Sequence, residues 1–238
     1  MDIGLDQLGR SLLTLNSQLA VVSNNIANTS TDRYKTDTLT IRSFSDYFIQ
    51  EQYDSEKENL FDLNICTDFT QGELYEGDIN DIALDKNGFI EVMYKDNLYY
   101  SRGGSFDIDT DGYLVDQHGA YIMGTQGKIY AADQDVEISK AGTVTVGGIY
   151  ADTIEAVDFA DYTELKKIGF DYYAASENAV TIESQAEIKQ GYTEGSNVSL
   201  TEEYLKMMDI SNKYETNQAV IQILDEMNGK AVNTIAAF

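Results

Sequence analysis

The stretch LDQLGRSLLTLNSQLAVVSNNI, residues 5–26, decides how the rest of the chain is read. Steps of three and four residues through it land on Leu5, Leu8, Leu12, Leu15, Leu19, Val22 and Ile26, all aliphatic. That alternation averages to the 3.5-residue repeat of a coiled-coil seam, which keeps one narrow stripe facing a partner helix. The residues between are mostly Ser, Thr, Asn, Gln and Asp and suit wetter sides. A helix of this span is about 33 Å long at 1.5 Å per residue. It cannot bury its stripe alone, so the rest of the chain is read as the supplier of its partner.

The far end carries a matching pattern. Alternate steps from Met207 reach Ile210, Tyr214, Asn217, Ile221, Leu224, Asn228, Ala231, Ile235 and Phe238. Only the two asparagines are polar, and a polar residue on a seam sets register. Val220, Met227 and Val232 widen the stripe. Ser199 followed by Glu202 is a capping-box start for this helix. Two separate amphipathic helices on one globular core are the competing reading of the same periodicity.

Between the ends the period changes. Asn24-Asn25-Ile26-Ala27-Asn28-Thr29-Ser30-Thr31 ends the first helix, because such side chains compete for backbone hydrogen bonds and favour turns. Leu39 and Ile41 alternate as in a strand, and residues 51–59 are charged. From about Leu74 short alternating runs are separated by Gly, Asn and Asp turns, as in Phe89–Tyr94, Lys95-Asp96-Asn97 and Leu98–Ser101. This is a run of hairpins. The expected fold class is α+β: N- and C-terminal helices pair as a coiled coil, with an inserted, mainly antiparallel β domain. The expected division is 1–42 plus 191–238 for the paired helices, 43–73 for a connector and 74–190 for the β domain.

The 238 residues carry a formal charge of −25, unevenly placed. Residues 1–42 hold four acidic and four basic residues, and residues 191–238 hold seven and three, so −21 falls on residues 43–190. Neutral ends suit packing against protein, and an acidic middle suits water. Without a basic patch to meet phosphate, nucleic acid is excluded as a partner. Met1–Gly4 lacks a basic start, so no cleaved signal peptide is expected. No run of 18 apolar residues exists, so no membrane-spanning helix is expected.

Chemistry-bearing patterns are sparse. The single Cys66 sits in an alternating stretch with Leu63, Ile65 and Phe69 and reads as a partly buried structural thiol. His118, the single histidine, lies between Gln117 and Gly119 and reads as a turn residue, with Asp116 its nearest carboxylate. One His and one Cys do not make a zinc site. No P-loop is present and no G-x-G-x-x-G follows a strand, so neither catalysis nor a cofactor is expected. Asp107-Ile108-Asp109-Thr110-Asp111-Gly112 matches the first half of a calcium loop, but His118 stands where a bidentate Glu belongs. The plain reading is a hairpin turn. The alternative function is an extracellular calcium-dependent binding or adhesion module on the β domain.

Several segments, in order, resemble one family: the axial proteins of the bacterial flagellar basal body, the rod and hook proteins. Asn25, Ala27, Asn28, Thr31, Tyr34 and Lys35 carry a likeness to the N-terminal signature A-N-x-x-T-x-G-[FY]-K, with Arg33 at its glycine. Phe69–Leu74, Ile82–Phe89, Tyr100–Phe106 and Asp111–Val115 are similar to further family stretches. So are Val157–Asp161 with Leu165–Gly169, where Tyr162 replaces the usual Pro, and Gly191–Val198. The ending Asp225–Ala231 and the short connector before Gln71 resemble the proximal rod type more than the distal one. The resemblance implies terminal helices in the inner layer of a tubular assembly, with the β domain outside. It implies as partners copies of the chain itself and other rod and hook proteins. It further implies passage through the flagellar type III export apparatus and termini largely disordered before assembly.

Overall fold

The structure, a computed structural model, describes residues 2–43, 61–132, 134–169 and 171–235. It is α+β: among the described residues there are two α-helices and a large antiparallel β domain. Two compact units are present: Met1–Ala27, Asp37–Thr67 and Ser199–Phe238 make one, and Asn28–Thr36 with Asp68–Val198 make the other.

In the first unit, helix α1 spans Asp2–Ala27 and helix α2 spans Leu200–Ile235. Helix α1 stops where the Asn and Ser/Thr run begins, and Thr31 N then donates to Asn28 O in a turn. Helix α2 opens one residue after Ser199, whose carbonyl accepts the Glu203 N–H. Glu202 and Glu203 lie in its first turn, where the helix dipole favours negative charge. Leu15, Val22 and Ile210 form a buried cluster, with Leu19, Ile26 and Met207 packed against it. Strand β1 (Asp37–Ser43) pairs antiparallel with β2 (Phe61–Thr67), from Asp37 opposite Thr67 to Ser43 opposite Phe61. The stretch expected as a connector over 43–73 thus contains a strand, signalled by the alternation around Cys66. The charged run 51–59 lies outside the described residues.

In the second unit the main sheet is antiparallel and its strands are short. They are β4 (Asp81–Leu84), β5 (Phe89–Tyr94), β6 (Asn97–Ser101), β7 (Gly103–Ile108), β8 (Leu114–Asp116) and β9 (Tyr121–Gly124). With β15 (Leu165–Gly169), β16 (Tyr172–Ala175) and β18 (Ile188–Gln190) they run in the order β15-β16-β6-β5-β9-β8-β7-β4-β18. Strand β10 (Gly127–Lys128) pairs with β9, β14 (Ala156–Phe159) joins β5, and β17 (Thr181–Glu183) pairs with β14. Strands β11 (Val136–Ile138), β12 (Thr143–Val146) and β13 (Ile149–Thr153) form a separate antiparallel sheet. Strand β3 (Leu74–Glu76) pairs with β19 (Tyr192–Glu194), which brings the start of this unit's long segment beside its end. Lys95 and Asp96 both take positive φ, 49° and 62°, and close β5 onto β6 as a two-residue hairpin of the type whose twist suits the strands.

Side chains divide by face. Ile82, Leu84, Ile90, Val92, Phe106, Leu114 and Ile122 fill one core. Phe69, Phe89, Tyr100, Phe159, Leu165 and Tyr173 fill another, largely aromatic one. There Phe89 meets Phe69 and Tyr173 edge-on at 5.5 and 5.7 Å, the geometry ring quadrupoles prefer.

Candidate assembly site

The predicted seam residues lie as follows. Leu15 and Val22 on α1 and Ile210 on α2 are buried together, and Leu19, Ile26 and Met207 flank them. Leu8 and Leu12 on α1, with Ile221 and Leu224 on α2, are partly exposed, and Tyr214 is exposed. Asn217 Nδ2 donates to Ser11 Oγ at 2.9 Å, so this seam asparagine bonds across to α1. Leu5, Ala231 and Ile235 belong to the helices; Phe238 lies outside the described residues.

Deeper in the same unit a polar knot ties α1 to β1 and to the first turn of α2. Asn25 is 1% exposed. Its Nδ2 donates to Asp37 O at 2.8 Å and to Glu203 Oε2 at 3.0 Å, while its Oδ1 accepts from Asp37 N at 3.1 Å. Lys206 Nζ donates to the other oxygen of the buried Glu203 at 2.6 Å. An asparagine is needed here because one side chain must both donate and accept.

The remaining signature residues divide between the units. Ala27 closes α1 and is exposed. In the second unit, Thr31 Oγ1 donates to Asn28 Oδ1 at 3.2 Å and holds the turn. Tyr34 is buried, with Lys167 Nζ 4.0 Å from its ring centre. Lys35 is 0% exposed, and its Nζ donates to Glu194 Oε1 at 2.7 Å and to Thr70 O at 2.8 Å. Arg102, 1% exposed, completes an ion triad: Nε donates to Glu194 Oε2 at 3.1 Å and Nη2 to Oε1 at 3.3 Å. Its Nη1 donates to Lys86 O and Gly88 O at 3.0 and 2.6 Å. Gly72 N donates to Glu194 Oε1 at 2.9 Å. A Cβ on Gly72 would stand 2.0 Å from Gly195 O, so only glycine lets these two backbones meet.

Electrostatics follow from this burial. Loss of water alone would raise the Glu194 carboxyl, but Arg102 and Lys35 outweigh it and hold the group below its ordinary 4.5. Burial pulls the Lys35 ammonium below its ordinary 10.5, against the opposing pull of Glu194. Asn197 adds a second pin: its Oδ1 accepts from Thr36 N and Oγ1, both at 2.8 Å, and its Nδ2 donates to Asp68 O at 2.8 Å. Four of the family-like stretches, those around Lys35, Gly72, Arg102 and Glu194, therefore meet at one buried charge. Sequence reading did not pair these residues. The charged letters inside otherwise apolar or glycine-rich motifs were the available signal.

Residues considered for chemistry are placed structurally. Asp109 Oδ1 accepts from Asp111 N and Tyr113 N at 3.0 and 2.8 Å, and Gly112 takes φ 85°, so the calcium-like stretch is the β7–β8 hairpin turn. His118 is exposed in the next turn, its N–H donating to Asp116 Oδ1 at 2.9 Å. Cys66 is partly buried on β2. Among the described residues no helix is long and apolar enough to cross a membrane.

The helices share a buried apolar cluster, and the β unit is cross-tied through a buried ion triad. Three family models match in chain order. Residues 10–35 match "Flagella basal body rod protein", 83–146 "Flagellar hook protein FlgE/F/G D1 domain", and 189–234 "Flagellar basal body rod FlgEFG protein C-terminal". The flagellar basal-body rod protein FlgF of Caulobacter vibrioides is 29% identical over 94% of each chain. The flagellar hook-basal body complex protein FlhO of Bacillus subtilis is 28% identical over 98% of each. The rod protein FlgG of Borreliella burgdorferi is 30% identical over 69% of this chain and 68% of its own. The chain belongs to the flagellar basal-body rod protein family, whose members are structural proteins and not enzymes.

Proposed function

We propose that the chain is a structural subunit of the flagellar basal-body rod, self-assembling into the axial drive shaft that joins motor to hook. The observation that carries this reading is the apolar surface left on both helices. Leu13, Leu205, Met208, Ile223 and Met227 are each more than half exposed, which suits burial by neighbouring subunits. Contacts between unlike faces that do not close generate a helical assembly. The terminal segments 1–42 and 191–238 pair as a coiled coil and form the inner axial layer, and the acidic 74–190 faces outward. The proximal rod type is favoured over the distal one by the short connector before Gln71 and the Asp225–Ala231 ending. Copies of the chain and other rod and hook proteins are its partners. It reaches them through the flagellar type III export apparatus, its termini ordering on assembly. The test is recovery of the chain, by mass spectrometry, with washed rods from isolated basal bodies. Absence from rods that are otherwise complete would overturn the reading.

A further inference from the structure

Arg33 is the unexpected residue of the N-terminal turn. Its φ is +62°, a left-handed conformation that glycine adopts freely and a large side chain adopts rarely. The kink is structurally used: Arg33 N donates to Glu194 O at 2.8 Å, and the next two residues, Tyr34 and Lys35, turn inward. The Arg33 side chain is itself buried. Its guanidinium lies over Gly104, where an added Cβ would stand 3.4 Å from Cζ. Nη2 faces Asp171 Oδ2 at 3.7 Å, and Asp171 is left-handed as well, with φ 60°, in the turn between β15 and β16. Among the described residues Nε has no hydrogen-bond partner. A buried, incompletely bonded guanidinium is costly in itself, and the ion pair to Asp171 and the packing over Gly104 are the contacts that offset that cost.

We propose that Arg33 and Asp171 form a latch, a positioning pair that holds the 28–36 turn in the kink that aims Lys35 at Glu194. Simple turn chemistry says the opposite of this latch. At a left-handed position, replacement by glycine relieves strain; with a latch, the same replacement loosens the turn. Asp81 also lies in the field of Arg33, and Lys167, His118 and Asp32 lie in that of Asp171, so single substitutions mix several effects. A double-mutant cycle isolates the pair.

The experiment compares amide exchange in the full chain and in Arg33→Gly, Asp171→Asn and the double variant. The amide at position 33, which donates to Glu194 O, is expected to exchange about tenfold faster in each single variant. The double variant is expected to be no faster than the faster single. Amides of Val92 and Ile122, in the sheet core, keep the parent rate. Arg33→Lys, which keeps charge but loses the planar group over Gly104, moves in the same direction and serves if Asp171→Asn does not fold. Exchange in Arg33→Gly as slow as in the parent, effects that multiply in the double variant, or equal acceleration in the core would overturn the latch.

Discussion

Lys35 Nζ lies 2.7 Å from Glu194 Oε1 across 159 residues of sequence, with neither side chain exposed. Taking two such groups out of water is expensive, and breaking one partner leaves the other stranded. Glu194→Gln keeps the size but removes the charge that Lys35, Arg102 and Gly72 N share. The substitution is expected to cost about 3–5 kcal/mol in urea or thermal unfolding, the scale for an uncompensated buried charge. A loss under about 1 kcal/mol, the scale of an exposed pair, would mean that the triad adds little.

The same residue sets an acid limit. Glu194 titrates below its ordinary 4.5 in the folded chain. Its contribution is therefore complete above the unfolded value and is lost as pH falls through the folded one. The stability gap between parent and Glu194→Gln is expected to be widest near neutrality and to narrow below about pH 4.5. Parallel unfolding curves for the two proteins down to the acid transition would contradict this.

Asn25 makes a prediction for the helical unit. Asn25→Ala removes two bonds to Asp37 backbone and one to the buried Glu203. The expected loss is about 1–3 kcal/mol, the cost of leaving buried polar groups unsatisfied. Asn25→Asp, isosteric but charged, sets a carboxylate against Glu203 and is expected to be worse at pH 7 than at pH 4. Equal stability of all three proteins by urea denaturation would show that the knot is dispensable.

The seam gives the sharpest functional substitution. Leu15→Asp buries a carboxylate in the cluster with Val22 and Ile210, which costs several kcal/mol unless the helices part. The β unit has its own two cores and is expected to stay folded, with unchanged near-ultraviolet tyrosine signals. Assembly and motility are expected to be lost, and Leu12→Asp acts in the same direction. A motile strain carrying both substitutions would count against the seam.

Periodicity made both helices legible, because an apolar stripe recurring every 3.5 residues is a helical signature, and it placed Leu15, Val22 and Ile210 among its apolar positions. Hairpins such as β5–β6 were legible from Lys95-Asp96 between alternating runs. Strand β2 lies inside the stretch expected as a connector, and the alternation of Leu63, Ile65 and Phe69 around Cys66 is the local signal for it. The triad was not legible as a unit. Lys35, Arg102 and Glu194 are far apart in the chain, and a charged letter in isolation signals a wet surface. What brings them together is the β3–β19 pairing and the close backbone approach at Gly72, which no local pattern encodes. Arg33 was legible as a departure from the family's glycine, yet its partner Asp171 was not.

Electron cryo-microscopy of isolated basal bodies bears most directly on the account. It predicts rod subunits of this chain with α1 and α2 side by side along the axis, Leu15 and Val22 against Ile210, and the β unit on the outer surface. Rod density in which the two helices of one subunit lie apart, or no rod density that fits this chain, would contradict it.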